Sequence, residues 1–318
     1  MDFNTFRTFP KDLALSSSLL ILASTASYFI LLAYFNYTYE LLLSSNIIFV
    51  ILGLSILALR GFGGNAIYRL LYLIVILSLA EEILLNSAFA WYGLALAFLG
   101  FILLPLFGAI LESKGEEARV VLEVCGLLFA TRIVFSPFPI NLLMSASILP
   151  AIYTLVMIGI IFYLWFKRIN LARVGFKHGV IKLPFQVLSG IFIGAILGLI
   201  EYFILRPKPV DIGPNMLHNA LYLVITMMVF VGLTEELLFR GLLQNHMQGF
   251  MQRWQAVHLA SLIFSLFHIG WLNPLEVIFA YGAGVIFGYM FIKTESLMAP
   301  TLAHGFGNIL LYTMALTF

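Results

Sequence analysis

Three ionisable side chains interrupt a long apolar run between Leu221 and Leu243: Glu235, Glu236 and Arg240. A charged group at the centre of a bilayer costs about 2.5–3.5 kcal/mol on insertion scales, so two adjacent carboxylates in such a run indicate a functional site. On a helix, Glu236 and Arg240 lie four residues apart on one face and can form an ion pair. Because Glu235 points about 100° away from Glu236, we predict that Glu235 is the reactive carboxylate and that the pair supports it.

Polar side chains in later apolar segments are candidates to complete this site, namely His268, His304 and Asn308. Counted from the turn that joins their helices, Glu235 and His268 both lie about 18 to 20 Å deep at about 1.5 Å per residue. Two side chains that act in one site must lie at similar depths in the membrane, and these two do. His304 follows Pro300 by only four residues, so we expect it to be shallower unless the helices tilt.

The elements that position these residues are membrane helices. The 318 residues are 62% hydrophobic and 10% charged, with a mean hydropathy of +1.04, whereas soluble proteins carry about 25% charged residues. Apolar runs near the roughly 20 residues that span a bilayer recur along the whole chain. The net charge is only +2 and the basic residues are scattered among loops, which argues against nucleic-acid binding.

We therefore predict an all-α, polytopic transmembrane helical bundle of about 11 helices. The predicted spans are 13–35, 41–59, 67–88, 91–111, 120–138, 143–166, 184–205, 217–247, 256–270, 275–293 and 299–317. In the tenth span, Gly282, Gly284 and Gly288 provide a Gly-x-x-x-Gly spacing, which lets helix backbones approach closely in lipid.

The distribution of basic residues predicts the orientation of the bundle. Alternate loops collect fourteen Lys and Arg residues on one side and three on the other. The positive-inside rule then places the N-terminus in the cytoplasm and the site open toward the cytoplasmic side. His246 and His258 flank one of the basic turns, and we expect both to face water.

The most basic loop, from Lys167 to Lys182, separates two parts of different character. Residues 1–182 form N-terminal helices with few polar groups, an extension whose role the sequence leaves unknown. Residues 183–318 hold five of the six histidines and the densest ionisable residues within helices. We place the domain boundary at this loop and expect the chemistry in the C-terminal part.

Three motifs together give the chain a specific resemblance. They are Glu235-Glu236-x-x-x-Arg240, Phe264-x-x-x-His268 and His304-x-x-x-Asn308. In this order on successive membrane helices, they resemble the CAAX prenyl endopeptidase family, also called the CAAX protease and bacteriocin-processing family of glutamic intramembrane proteases. The resemblance covers about residues 183–318.

The resemblance implies an intramembrane endopeptidase that acts on a membrane-embedded or lipid-anchored peptide, a prenylated one included. It implies that Glu235 and His268 bind and activate water, with His304 and Asn308 forming the oxyanion hole. No cofactor is implied. Physical chemistry permits these roles, since a positioned carboxylate can act as a general base and imidazole or amide donors can stabilise an oxyanion.

Two alternatives stay open on the sequence. A zinc site built from Glu235, His268 and His304 would make the protein a metalloprotease-like enzyme, because nitrogen and carboxylate ligands with an open position suit catalytic zinc. A non-catalytic transporter, immunity or scaffold protein is the alternative from another class, because intramembrane charges also mark transport pathways.

Other intramembrane carboxylates fit the site less well. Glu81 and Glu82 repeat the dipeptide in the third span, but Asn86 stands where an arginine would be expected. We interpret this pair as polar groups between helices or near an interface. Glu201 and Glu276 are lone carboxylates, each expected to pack against a polar group or near a membrane boundary.

Overall fold

The computed structural model describes residues 66–110, 115–136, 148–207 and 216–316, and every regular element in these ranges is helical. In chain order the helices are α1 (Ala66–Leu85), α2 (Ala90–Ile110), α3 (Glu116–Phe135), α4 (Leu149–Phe166), α5 (Leu183–Leu205), α6 (216–247), α7 (Arg253–Leu266), α8 (Pro274–Thr294) and α9 (Met298–Leu316). They correspond one to one with the last nine predicted spans. The first two predicted spans, 13–35 and 41–59, lie outside the described residues, so the count of about 11 is not confirmed.

Five helices in the described ranges are long and apolar enough to cross a membrane: α2, α4, α5, most of α6 and α8. Their mean hydropathies lie between 1.8 and 2.4. Such segments bury every backbone polar group within the helix, which is what a bilayer demands. The protein is therefore an integral membrane protein.

The chain forms two compact units, Met1–Gly93 and Leu94–Phe318. In the first unit, Glu81 and Glu82 are buried in α1, and the Asn86 side chain donates at 2.8 Å to the backbone carbonyl of Glu82. Asn86 thus extends the helix end and does not substitute for an arginine partner. The predicted boundary near residue 182 stays a prediction.

Helix α6 carries both central glutamates and is not a uniform α-helix. Two π-helical stretches, Thr226–Leu233 and Leu237–Gln244, flank a single α-helical turn, Thr234–Glu236. π-helical segments are rare and occur frequently at functional sites. Glu235 and Glu236 therefore lie on a short regular turn between two wider segments of the same helix.

Helices α5 and α9 run side by side on a strip of glycines. A Cβ atom added to Gly194 would lie 2.5 Å from the Ala303 carbonyl oxygen, and one added to Gly198 would lie 2.4 Å from that of Gly307. Ala303 therefore lies at the level of Gly194. Gly194 is eleven residues after the first residue of α5, or about 17 Å along that helix. The expectation that His304 lies shallower than the glutamates is wrong, because α9 begins well inside the bundle.

The segment between α4 and α5 packs over the turn before α9, which allows α9 to begin inside the bundle. The Leu297 amide donates at 3.0 Å to the Gly175 carbonyl, and Gly179, with φ of +75°, passes so close to the Thr294 carbonyl that a Cβ atom would lie 2.2 Å from it. The buried Gln186 side chain donates to two carbonyls of the same segment, at 2.7 and 2.6 Å. Residues 167–182 therefore cover the α8–α9 turn at one end of the bundle, which we call the basic end.

Two histidines flank the α6–α7 turn at this basic end. His246 is buried, and its Nδ1 donates at 2.8 Å to the Leu242 carbonyl, so the expectation that it faces water is wrong. His258 is half-buried and its Nδ1 lies 2.7 Å from the hydroxyl of Tyr281. Both rings contribute to helix packing.

Candidate active site

The ion pair predicted in α6 forms, and it is completely buried. The Nη1 atom of Arg240 donates to Oε1 of Glu236 at 2.8 Å, with side-chain exposures of 1% and 0%. Nη2 donates to the Gly284 carbonyl of α8 at 3.2 Å, and the guanidinium carbon lies 4.6 Å and 5.2 Å from the ring centroids of Phe264 and Phe287. These hydrogen bonds and cation–π contacts offset the cost of burying the charges.

His304 of α9 lies between the two glutamates. Its Nδ1 is 2.8 Å from Oε1 of Glu236, and its Nε2 is 3.7 Å from Oε2 of Glu235. The ring stacks on Phe287 with centroids 5.3 Å apart and an interplanar angle of 15°. Because the ionised carboxylate of the ion pair can only accept a hydrogen bond, Nδ1 carries the proton. A neutral ring therefore offers Nε2 as an acceptor, and a protonated ring offers it as a donor.

Glu235 is the more exposed of the two carboxylates, with 20% of its side chain accessible. Its Oε1 accepts a hydrogen bond from the Tyr153 hydroxyl of α4. Its Oε2 faces His304 at 3.7 Å, which is too long for a direct hydrogen bond and is a separation at which a water molecule can bridge. One oxygen of Glu235 is thus held by the protein and the other is available.

Two glycines bring the backbones of α6 and α9 together beside these groups. A Cβ atom on Gly232 would lie 3.1 Å from the Gly305 nitrogen, and one on Gly305 would lie 2.9 Å from the Met228 Cα. Gly232 is three residues before Glu235, and Gly305 follows His304 directly. The close crossing of the two helices therefore sets the distance between the glutamates and the imidazole.

His268 lies just beyond the end of α7 and is half-buried. Its Nδ1 donates at 3.1 Å to the Phe264 carbonyl, which leaves Nε2 as an acceptor in the neutral ring. Across the described residues it forms no hydrogen bond or ion pair with Glu235. The Phe264 ring contacts both histidine rings, with centroid distances of 4.8 Å to His268 and 5.8 Å to His304. The fold brings His304, rather than His268, directly to the glutamates.

Asn308 lies one turn beyond His304 on α9, on the same face of the helix. It is half-buried, and its side-chain amide makes no hydrogen bond within the described part of the chain. Its N–H groups are therefore free to donate to a bound molecule. His304 and Asn308 are placed as neighbouring polar groups on one helix face, as their spacing predicts.

Tyr153 could not be identified as a site residue from the sequence. It is one of two tyrosines in α4, within the predicted N-terminal extension, and no sequence pattern distinguishes it from Tyr163. Its contact with Glu235 arises only from the packing of α4 against the first π-helical stretch of α6. A spatial contact between residues 82 positions apart is not visible in local sequence spacing.

The two lone carboxylates lie toward the opposite end of the bundle from the basic end. Asn273 donates at 3.1 Å to the Ile204 carbonyl and thereby joins the start of α8 to the end of α5. Glu276 is fully buried, and neither of its oxygens has a hydrogen-bond partner among the described residues. Glu201 is half-buried in the last turns of α5. The expectation that each packs against a polar group or near a membrane boundary stays a prediction.

Within the ranges that the structure describes, no group of three or more His, Cys, Asp or Glu side chains is placed to hold a metal ion. The Nδ1 atom of His304 is already bonded to Glu236. The zinc alternative built from Glu235, His268 and His304 stays a prediction. What the arrangement does provide is a carboxylate with one open oxygen beside an oriented imidazole.

Comparison with known proteins finds a family model that matches part of the chain. Residues 217–310 match the family model described as type II CAAX prenyl endopeptidase Rce1-like, over less than half of the chain. No curated protein and no solved structure matches the chain. The matched segment contains all the motif residues, Glu235, Glu236, Arg240, Phe264, His268, His304 and Asn308.

Proposed function

We propose that this chain is an intramembrane endopeptidase that hydrolyses a peptide bond in a membrane-associated substrate, because residues 217–310 match the type II CAAX prenyl endopeptidase Rce1-like family model. The observation that carries the proposal is the unequal environment of the two adjacent glutamates. Glu236 is fully buried and neutralised by Arg240, whereas Glu235 keeps one oxygen open beside His304. The dipeptide thus provides one carboxylate for acid–base chemistry, Glu235, and one with a structural role, Glu236.

The open oxygen of Glu235 is the general base. It accepts a proton from a water molecule while the water oxygen attacks the scissile carbonyl carbon. The acceptor Nε2 of His268 is proposed to hold the second hydrogen of the same water. The resulting tetrahedral intermediate collapses as the C–N bond breaks, and the proton held by Glu235 passes to the leaving amine. The water oxygen and its second hydrogen remain in the new carboxylic acid, which loses that proton to solvent on release.

The face of α9 that carries His304 and Asn308 is proposed to bind the oxyanion. The amide of Asn308 has free N–H groups, and His304 donates from Nε2 when its ring is protonated. Preorganised donors in a site with little water are effective, since removing one costs about 10²- to 10³-fold in kcat in comparable sites.

Phe264, Glu236 and Arg240 support these groups without touching substrate. Glu236 fixes the orientation of the His304 ring through Nδ1, in the way that carboxylates orient histidines in other sites. Arg240 pairs with the Glu236 carboxylate and offsets the cost of burying it. The ring of Phe264 fills the space between Arg240 and both imidazoles and excludes water from the charged pair.

We propose that the substrate is a lipid-anchored or membrane-embedded peptide, with a prenylated C-terminal peptide as the first one to test. We also propose that the basic end faces the cytoplasm and that substrate enters from that side, in agreement with the excess of basic residues there.

The test is cleavage of a farnesylated CAAX-type peptide by the purified full chain in lipid nanodiscs, with products identified by mass spectrometry. We expect release of a C-terminal fragment from the farnesylated peptide, and far slower release from the same peptide without the lipid. His268→Ala should lower kcat about 10²- to 10⁴-fold if it helps to hold the water. Correctly folded protein that cleaves no membrane-anchored peptide would instead favour a non-catalytic membrane protein.

The reaction as proposed uses no bound metal. Activity should persist after treatment with a strong chelator, in protein that elemental analysis shows to be free of zinc. Loss of activity that zinc restores stoichiometrically would replace this account with the zinc-dependent one.

A further inference from the structure

A residue outside the matched domain reaches into the candidate site. Tyr153 belongs to α4, whereas the family match begins at residue 217. The tyrosine is buried, with 9% exposure, and its hydroxyl donates a hydrogen bond to Oε1 of Glu235. Of the contacts in the described ranges, this is the only hydrogen bond to the Glu235 carboxylate.

The ring of Tyr153 is fixed by its surroundings. It packs edge-on against Phe135 of α3, with centroids 5.2 Å apart and an interplanar angle of 80°. It also belongs to an apolar cluster with Leu223, Met227 and Val231 of α6. A buried aromatic ring held on both sides has few alternative rotamers. The position of its hydroxyl is therefore set by α3, α4 and α6 together.

The hydroxyl defines which oxygen of Glu235 can react. A glutamate side chain has three rotatable bonds, and ordering it costs up to about 2 kcal/mol of conformational entropy. With Oε1 bound to Tyr153, the other oxygen, Oε2, is directed toward His304 at 3.7 Å. Without the hydroxyl, the carboxylate would rotate freely within its partly exposed pocket.

We propose that Tyr153 is a positioning residue for Glu235, which holds one carboxylate oxygen so that the other faces the attacking water. This inference rests on the proposed function and extends it to the N-terminal part of the chain. Helix α4, which precedes the matched residues 217–310, therefore has a role in the proposed reaction, because it supplies the hydrogen bond to Glu235.

The test compares two tyrosine-to-phenylalanine variants on the same helix. Tyr153→Phe removes the hydroxyl that binds Glu235 and keeps the ring contacts. Tyr163→Phe is the matched control, because its hydroxyl donates at 2.9 Å to another carboxylate, that of Glu123. We expect Tyr153→Phe to lower kcat about 10- to 100-fold with KM within twofold, since a misplaced base loses rate and not ground-state binding. Tyr163→Phe should keep kcat within twofold of wild type.

The outcomes separate this inference from the proposed function. If Glu235→Gln abolishes cleavage while Tyr153→Phe retains the wild-type kcat, the proposed base stands and the positioning role is overturned. An increase in KM with unchanged kcat also overturns it, because the hydroxyl would then bind substrate. Cleavage that survives Glu235→Gln defeats the proposed function itself.

A second measurement needs no substrate. A hydrophobic carbodiimide modifies carboxyl groups within membranes, and the extent of modification of Glu235 can be followed by peptide mass spectrometry. We expect several-fold faster modification of Glu235 in Tyr153→Phe than in wild type or Tyr163→Phe, because the released carboxylate is free to turn toward the reagent. Equal rates in all three proteins would show that Tyr153 does not hold Glu235, whether or not a substrate is found.

Discussion

Glu235 and Glu236 are adjacent and chemically identical, but their environments in the protein differ. Glu236 is enclosed with Arg240 and His304, whereas Glu235 lies at the edge of the site with Tyr153. The four-residue spacing of Glu236 and Arg240 predicts their pairing, since it depends only on local helix geometry. The partners of His304 and the contact with Tyr153 could not be predicted, because each depends on how separate helices are placed along the membrane normal.

The buried ion pair leads to a stability prediction. Arg240→Met leaves the Glu236 carboxylate buried without its charged partner, and breaking such a pair costs about 3–5 kcal/mol. We expect a loss of that size in the free energy of unfolding, measured by denaturant titration in mixed micelles. Lys177→Gln is the control, because the Lys177–Glu295 pair has exposures of 41% and 51% and should contribute no more than about 1 kcal/mol. Equal effects of the two substitutions would contradict the structural role of Arg240.

At the scale of the helices, the apolar runs in the sequence predict all nine described elements, with bounds that differ by four residues or fewer except at the start of α4, where the difference is six. Two features of these elements could not be predicted. The π-helical stretches of α6 are a change of hydrogen-bond register, which leaves no trace in hydrophobic periodicity. The depth of α9 follows from the segment 167–182 and from the glycine strip of α5, which are contacts across the bundle.

The glycine strip leads to a prediction about helix placement. In Gly198→Ala, the new Cβ would meet the Gly307 carbonyl at 2.4 Å, so α9 must move, and His304 and Asn308 with it. We expect a loss of stability of about 1–3 kcal/mol and a drop in kcat.

Gly282→Ala is the matched control, because a Cβ atom there meets no atom within 4 Å and alanine is the better helix former. Its stability should be unchanged or slightly higher, and its kcat unchanged. If Gly198→Ala behaved like this control, the close packing of α5 and α9 would not be what positions the α9 residues.

At the scale of the whole molecule, the composition of the sequence alone predicts a membrane protein, and the five apolar helices agree.

The predicted orientation in the membrane rests on the distribution of basic residues. It can be tested by thiol labelling, because the only cysteine of the chain, Cys125, is buried. Lys182→Cys introduces a thiol at the basic end and Arg206→Cys introduces one at the opposite end, both at exposed positions. In intact cells, a membrane-impermeant maleimide should label only Arg206→Cys. Labelling of Lys182→Cys alone would invert the proposed orientation and the side from which substrate enters.

The central claim is that Glu235, within this fold, activates the water that cleaves a peptide bond. The most direct test compares kcat for Glu235→Gln and Glu82→Gln in lipid nanodiscs, with unfolding measured for both. Each substitution replaces a carboxylate of a Glu-Glu dipeptide in a membrane helix with its neutral isostere, but Glu82 lies in α1, outside the matched domain. We predict a loss of about 10²- to 10⁴-fold for Glu235→Gln and little change for Glu82→Gln. Wild-type cleavage by folded Glu235→Gln protein would contradict the account.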